Sequence, residues 1–151
     1  IAVTFLGVTI YRFSHEAEER WIGGQLVSFT SRSDDNGELR QVALKLDGGR
    51  LRGTYNGRPR DYPATLIPAS LWHPETVRQH VLLDPFKGRE RAVSVVDKGE
   101  EGITVKGKPV VAHRYLITDK IPRDIWYDSN GRLVRIHFIA KDGSEIQVTP
   151  R

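Results

Sequence analysis

The segment YRFSHEAEERW, residues 11–21, sets one histidine among three glutamates, which are residue types that bind metal ions and transfer protons. It departs from the zinc-binding pattern H-E-x-x-H at one position, because Glu19 stands where the second histidine is needed. Its aromatic and small side chains alternate with charged ones, which favours a strand over a short helix. In a strand, His15 and Glu19 lie about 13 Å apart at roughly 3.3 Å per residue. That distance is too long for a shared metal ion, so we predict a strand and no metal site.

A second group of candidate catalytic residues lies between positions 70 and 84. It contains a hydroxyl, two imidazoles and a carboxylate, which are the components of a nucleophile activated by a base: Ser70, His73, His80 and Asp84. The segment lacks the G-x-S-x-G turn that exposes the nucleophile of many hydrolases, and Ser70 is equally well explained as a turn residue. A small hydrolase is therefore an alternative function. The sequence favours a non-catalytic protein without a cofactor.

A short arginine-rich stretch is a candidate for contact with anionic surfaces. It comprises Arg50, Arg52, Arg58 and Arg60. Tyr55 lies between them, and no acidic residue interrupts the stretch before Asp61. Guanidinium groups suit paired contacts with phosphate oxygens, so we predict contact with anionic lipid or another polyanion. A nucleic-acid interface needs a denser basic face with stacking aromatic residues, and we predict no binding of nucleic acid.

Large aromatic side chains are spread along the chain and supply surfaces for an apolar ligand. The candidate ligand-binding residues are Tyr11, Phe13, Trp21, Trp72, Tyr115, Trp126 and Phe138. Aromatic residues on strands are more often part of a core, and this alternative stays open. If some of them remain exposed, they mark a binding surface.

Strands must position most of these candidates. Gly-Gly, Asn-Gly and Asp-Gly dipeptides recur at short intervals, and two-residue hairpin turns favour such pairs because both central residues take positive φ. Between them, apolar residues alternate with polar ones, as in residues 25–32, 41–46 and 111–117. This succession of hairpins predicts an antiparallel meander.

The predicted fold class is all-β, either a single curved antiparallel sheet or a partly open β-barrel of about eight strands. One short helix is predicted near residues 74–81, where Pro74 suits the first helical position and Val77 and Val81 lie one turn apart. Residues 57–70 contain three prolines and are predicted to form a surface connection. A chain of 151 residues suits one domain, so we predict a single β-rich domain over residues 1–151.

Composition narrows the class of protein. With 38% hydrophobic and 28% charged residues the chain is globular, and no apolar run approaches the roughly 20 residues of a membrane-spanning helix. The absence of cysteine excludes disulfides and thiolate metal sites. Methionine is absent as well, and we expect that processing or truncation removed an earlier segment. The net charge of +4 favours acidic partners.

Four stretches, in order along nearly the whole chain, carry a resemblance to a known family. They are FLGVTIYRFSHEAEERW (5–21), LVSFTSRSDDNG (26–37), SLWHPETVRQHVLLDPFKG (70–88) and DIWYDSNGRLV (124–134). Together they resemble an uncharacterised family of exported bacterial proteins, the domain of unknown function 6134. The resemblance implies a secretion signal, a location in the periplasm or cell envelope, and a curved antiparallel sheet, but no known activity. It also implies that a hairpin usual in the family, upstream of the first segment, is missing here.

We therefore expect a non-catalytic envelope or periplasmic protein that binds a partner protein or an apolar, lipidic ligand. The small hydrolase and an accessory subunit of a membrane-associated complex are the alternatives. Expected partners are apolar or anionic lipid, and a partner protein or second copy of the chain at the edge formed by residues 1–10. Val3 and Phe5 would lie on one face of that edge strand, and an unpaired apolar edge invites strand addition.

Overall fold

The computed structural model of the protein describes the backbone of residues 2–5 and 8–150 and the side chains of residues 14–150. The protein is all-β, which confirms the predicted fold class at that level. Thirteen strands lie within the described residues: β1 (Ala2–Phe5), β2 (Val8–Ile22), β3 (Gln25–Asp35), β4 (Glu38–Asp47), β5 (Arg50–Tyr55), β6 (Arg58–Pro63), β7 (Val81–Asp84), β8 (Arg89–Ala92), β9 (Ser94–Val105), β10 (Lys108–Thr118), β11 (Arg123–Asp128), β12 (Leu133–Ile139) and β13 (Glu145–Val148).

The strands form three antiparallel sheets, so the predicted single sheet of about eight strands is wrong. β1 to β6 pair in chain order, β9 to β13 pair in chain order, and β7 pairs with β8. None of these sheets, as far as the structure describes them, closes into a barrel. The meander of the first sheet stops at β6, which contains Pro59 and Pro63. Proline lacks the N–H that would bond a further strand and is confined to sheet edges for that reason.

The chain divides into two compact units. Unit one comprises Ile1–Pro68 and Leu83–Glu90 and contains the six-stranded sheet. Unit two comprises Ala69–Leu82 and Arg91–Arg151 and contains the five-stranded sheet. The prediction of a single domain over residues 1–151 stays a prediction.

The predicted helix near residues 74–81 is a five-residue 3-10 helix, Pro74–Arg78. The Nδ1 atom of His73 accepts a hydrogen bond from the N–H of Glu75 over 3.3 Å and caps the helix at its start. The helix stops because Gln79 is already extended, with φ −90° and ψ 148°. Val81, which was expected one turn after Val77 in the same helix, is therefore the first residue of β7 instead.

Residues 57–70 are not the predicted surface connection. Residues 58–63 form β6, and Leu66 and Ile67 are only 5% and 6% exposed. Leu66 belongs to the core of unit one, and the Ile67 carbonyl accepts a hydrogen bond from the N–H of Leu83 over 2.8 Å. This part of the chain is buried because Leu66 and Ile67 are apolar, and exposing their side chains to water would lower the free energy of unfolding.

Unit one has its core on one face of the six-stranded sheet. The alternation predicted for residues 41–46 is confirmed in β4, where Val42 and Leu44 are buried and Ala43 is exposed. The core cluster contains Leu26, Phe29, Val42, Leu44, Leu51, Tyr62, Leu66 and Leu83. Residues 83–88 cover this face: Ser31 Oγ donates to the Pro85 carbonyl over 2.6 Å, and the Tyr62 hydroxyl donates to the Gly88 carbonyl.

The segment 1–10, expected as a single edge strand, contains a hairpin instead. β1 pairs with β2, with Ala2 opposite Arg12 and Phe5 opposite Val8. The side chains of residues 1–13 lie outside the described residues. The predicted partner at this edge stays a prediction.

We predict that Gly53→Ala destabilises the protein by about 3 kcal/mol, the upper range for overpacking. A Cβ at Gly53 would lie 1.8 Å from the Ala43 carbonyl oxygen, a backbone atom that cannot move without disturbing the pairing of β4 and β5. Urea denaturation measures the loss. Gly102→Ala in β9 is the matched control, because nothing lies within 4 Å of its Cβ position. Equal free energies of unfolding for the two variants would contradict the prediction.

Candidate ligand-binding groove

An open groove of about 460 Å³ lies in unit two. Small-molecule sites typically have roughly 300–1,000 Å³ and mostly apolar walls with a few polar groups. The residues that line this groove fit that description: Trp72, Val105, Lys106, Val110, Asp128, Gly131, Arg132, Leu133, Val134 and Pro150. The groove is therefore the candidate functional site.

Trp72 is held out of the core by the residue that precedes it. The Trp72 side chain is 57% exposed, whereas Leu71 is 2% exposed. Leu71 has a left-handed backbone with φ 68°, a rare conformation for a branched residue that costs of order 1–3 kcal/mol. Backbone strain of this kind clusters at functional sites. The exposed Trp72 next to this strained residue is therefore a candidate for ligand contact.

Tyr127 fixes the strained segment on the sheet. Its side chain is buried, and its hydroxyl donates a hydrogen bond to the Leu71 carbonyl over 2.7 Å. Burial raises the pKa of Tyr127 above its usual value. The hydroxyl therefore keeps its proton at neutral pH and remains a donor to Leu71.

The turn between β11 and β12 forms one part of the groove and is organised by Asp128. The Oδ1 atom accepts hydrogen bonds from the N–H groups of Asn130 and Arg132 over 2.9 Å and 3.0 Å, and Oδ2 accepts from Arg132 Nε over 3.0 Å. Burial opposes ionisation, but these bonds outweigh it and hold the pKa of Asp128 below its usual value. A Cβ at Gly131 would lie 3.3 Å from Pro74, so this turn sits close to the 3-10 helix.

The tip of the hairpin between β9 and β10 forms another part of the groove. Val105 and Val110, the half-buried residues on either side of the tip, contribute apolar surface. Lys106 and Gly107 make the turn with φ 50° and 76°, the two positive angles of a tight hairpin turn. The exposed Lys106 thus brings a positive charge to an apolar wall.

The structure does not bring the predicted aromatic residues into one pocket. Trp72 lines the groove, whereas Trp21 packs against the core of unit one. Tyr115 stacks on His113 with ring centroids 4.6 Å apart, and Phe138 is half-buried on β12. Two further candidates have side chains outside the described residues, Tyr11 and Phe13.

Trp126 is accounted for by contacts within the sheet of unit two. It is 6% exposed, and its Nε1 donates to Glu101 Oε1 over 2.6 Å. The guanidinium carbons of Arg114 and Arg135 lie 5.4 Å and 5.6 Å from its ring centroid, within the range of a cation–π interaction. Arg135 also donates to the Thr104 carbonyl of β9. The ring is thus enclosed by side chains of its own sheet.

The candidate catalytic residues have structural roles in two of four cases. His73 caps the 3-10 helix, and the fully buried Asp84 accepts hydrogen bonds from two backbone N–H groups of the turn at residues 84–88 over 2.9 Å and 3.2 Å. His80 is exposed and Ser70 is half-buried. The turn and the cap explain His73 and Asp84 without catalysis. A hydrolytic function stays an untested prediction.

The four candidate arginines do not form one patch. The register places Arg52 opposite Asp61, on the outer face of the six-stranded sheet, with Arg50 on the same face. Arg58 and Arg60 lie on the other face of the same edge. Asp61 accepts from Arg50 Nε over 2.5 Å and lies 3.6 Å from Arg52 Nε, which neutralises part of the outer charge. Contact with anionic surfaces stays a prediction.

The predicted strand over residues 11–21 is confirmed by β2. His15 Nδ1 lies 2.8 Å from Ser33 Oγ, and its ring centroid lies 4.4 Å from that of Phe86. Glu19 accepts a hydrogen bond from Trp21 Nε1 over 3.3 Å. Among the described side chains, no three potential ligands cluster closely enough to hold a metal ion.

Of the residues that line the groove, sequence reasoning named only Trp72 as a candidate site residue and missed the others, among them Lys106. It also missed Leu71, the residue that precedes Trp72. For Lys106 a signal existed: Lys106-Gly107 separates two strands in the position that Asn-Gly occupies at other hairpins of the chain. No sequence signal marks a leucine that adopts positive φ, because the conformation is imposed by its surroundings. The positive φ of Leu71 is therefore visible only in the folded backbone.

The fold and the groove define an all-β protein with an open, largely apolar cleft. The chain belongs to the family described as domain of unknown function (DUF6134), whose model matches residues 1–151. The family prediction is thus confirmed, while the bacterial source and export stay predictions. Neither the curated proteins nor the solved structures contain a match to this chain. In the part of the chain that the structure describes, no helix is long and apolar enough to cross a membrane.

We predict that Tyr127→Phe lowers the free energy of unfolding by about 1–2 kcal/mol, because the buried Leu71 carbonyl loses its donor. Urea denaturation measures the loss. Tyr115→Phe removes the hydroxyl of a half-buried tyrosine on the same sheet and should cost less than about 0.5 kcal/mol. Equal losses in the two variants would show that the bond to Leu71 contributes nothing specific.

We predict that unit one loses stability as the pH falls below about 6.5, the usual pKa of histidine. Burial lowers the pKa of His15, and the nearby Asp84 only partly offsets this effect. The unfolded chain therefore binds a proton at His15 more readily than the folded chain, and the free energy of unfolding decreases as the pH falls. Denaturation curves across this pH range should show a smaller decrease for His15→Gln than for the wild type. The exposed His80→Gln is the control, and an unchanged slope in His15→Gln would refute the prediction.

Proposed function

We propose that the protein is a non-catalytic binding protein whose groove in unit two holds an apolar, lipidic ligand against Trp72. The exposure of this indole beside the strained Leu71 carries the proposal. A tryptophan has about 150–250 Å² of surface to bury. Covering the 57% that is exposed would contribute about 2–4 kcal/mol at roughly 25 cal/mol per Å². A ligand recovers that free energy without any rearrangement of the core.

The remaining lining supports an apolar ligand. Leu133 is buried, and Val105, Val110 and Val134 are half-buried on the strands that border the groove. Each offers methyl groups to an occupant that displaces water from the groove. A concave site of about 460 Å³ favours a small molecule over the flat contact expected of an accessory subunit.

The chemistry of the lining favours binding over catalysis. Among the described residues that line the groove, none is a serine, threonine, cysteine or histidine. Its charged members are Lys106, Asp128 and Arg132, and the last two pair with each other over 3.0 Å. As far as the structure describes it, the lining thus lacks the hydroxyl or thiol nucleophile and the imidazole base on which many hydrolases depend.

The cellular setting of this activity is part of the proposal. The family resemblance implies a periplasmic or envelope location, where lipidic molecules must be carried or sensed outside the bilayer. The groove is formed by residues of unit two, whereas the proposed protein partner would bind at the β1 edge, which belongs to unit one.

We predict that titration with dodecanol changes the tryptophan fluorescence of the protein and that Trp72→Phe abolishes this change. Trp72→Ala should weaken binding about tenfold, the equivalent of roughly 1.4 kcal/mol, as measured by isothermal titration calorimetry. Trp21→Phe is the control for the signal, because Trp21 packs against the core of unit one. An affinity that is the same in Trp72→Ala and wild type would refute the proposed function.

A further inference from the structure

The hairpin between β9 and β10 turns through an unusual residue for its conformation. Lys106 has φ 50° and Gly107 has φ 76°. The chain makes the same kind of turn at Asn36-Gly37 and Asn56-Gly57, where the first residue has φ 52° and 47°. Asparagine enters the left-handed region more readily than other residues, because its short side chain bonds locally, whereas lysine has no such compensation.

At the same turn position, the side chain of Asn56 forms hydrogen bonds with a neighbouring strand. The Asn56 side chain accepts a hydrogen bond from the N–H of Gln41 over 2.7 Å and donates to the Leu39 carbonyl over 3.4 Å. Lys106 forms no ion pair with any carboxylate that the structure describes, and its side chain is exposed. The left-handed conformation of Lys106 thus costs free energy, and the Lys106 side chain does not offset this cost with hydrogen bonds like those of Asn56. A residue of this kind points to a role in binding.

Lys106 lies where a ligand in the groove would meet it. It lines the groove together with Trp72 and with Arg132 on the turn between β11 and β12. Arg132 Nε donates a hydrogen bond to Asp128 Oδ2 over 3.0 Å, so the charge of Arg132 is paired within the protein. Among the described residues, two cations and one carboxylate therefore line the groove, and the excess positive charge belongs to Lys106.

We propose that the groove selects an acidic amphiphile, whose apolar body lies against Trp72 and whose carboxylate or phosphate group contacts the Lys106 ammonium. This inference rests on the proposed function and names the ligand class of the same site. A charge-assisted contact of this kind is stronger than a contact between neutral groups. Lys106 is then a specificity-determining residue, and Trp72 supplies the apolar part of the affinity.

Calorimetric titrations with dodecanoate, dodecyl phosphate, dodecanol and inorganic phosphate test this assignment. At about pH 8 the carboxylic acid is ionised, and we expect both acidic amphiphiles to bind about tenfold more tightly than dodecanol. Inorganic phosphate alone should bind far more weakly than dodecyl phosphate, because it leaves Trp72 uncovered.

Lys106→Asn is the decisive variant, because asparagine suits the left-handed turn and the hairpin should be at least as stable as in the wild type. It should lose the preference, so that dodecanoate and dodecyl phosphate bind no more tightly than dodecanol does. Lys108→Asn removes an exposed lysine of the same hairpin that does not line the groove, and should keep the preference. A thermal melt that is no lower than that of the wild type excludes misfolding as the cause.

Three results would overturn the inference. Equal binding of dodecanoate and dodecanol by the wild type, with dependence on Trp72, would remove the headgroup selection and leave the proposed function standing. Inorganic phosphate that binds as tightly as dodecyl phosphate would reveal an anion site unrelated to amphiphiles. Binding of no probe would reject both the headgroup selection and the proposed function.

Discussion

The hydrogen bond from the Tyr127 hydroxyl to the Leu71 carbonyl joins a segment of irregular backbone to the five-stranded sheet. Without it, a leucine in the left-handed region would relax towards an extended conformation and draw Trp72 with it. With it, Leu71 stays buried, Trp72 stays in water, and the 3-10 helix begins at a fixed position next to the turn at Gly131. The groove is therefore a product of one strained residue and the buried donor that holds it.

Buried carboxylates organise loops in both units by the same device. Asp84 and Asp128 each accept N–H groups from the residues that follow, and each has its own carbonyl bonded to the N–H of a later glycine, Gly88 or Gly131, over 2.9 Å. Backbone N–H groups that donate to a carboxylate satisfy its oxygens and hold the turn around it. Asp84 was a catalytic candidate because it follows a serine and two histidines in the sequence, but in the fold its carboxylate stabilises a turn.

Local patterns predicted the strands, whereas the length of the helix near residues 74–81, the surface connection at residues 57–70 and the single sheet were wrong. The alternation in residues 11–21 and 41–46 correctly indicated strands, because the period of side chains along a strand is fixed by the backbone. Which hairpins share a sheet depends on edges, and the two prolines of β6 decide that without altering the pattern on either side. Trp72 was found from residue type alone. Leu71 was not, because backbone strain is a property of tertiary packing and leaves no mark in residue type. The Lys106-Gly107 pair marks a hairpin turn, but nothing in the sequence shows that this turn borders a groove.

The prolines of β6 also limit how this protein can assemble. Prolines on an edge strand sit with the missing N–H turned to the outside, so that edge of the six-stranded sheet offers an incomplete ladder to any incoming strand. A filament that grows by pairing sheet edges needs two edges on every subunit that can form backbone hydrogen bonds with a neighbour. A sheet sealed along one side can join a single neighbour at its opposite side and then stops growing. Open-ended polymerisation through this sheet is thus suppressed by two residues that contribute nothing to its core.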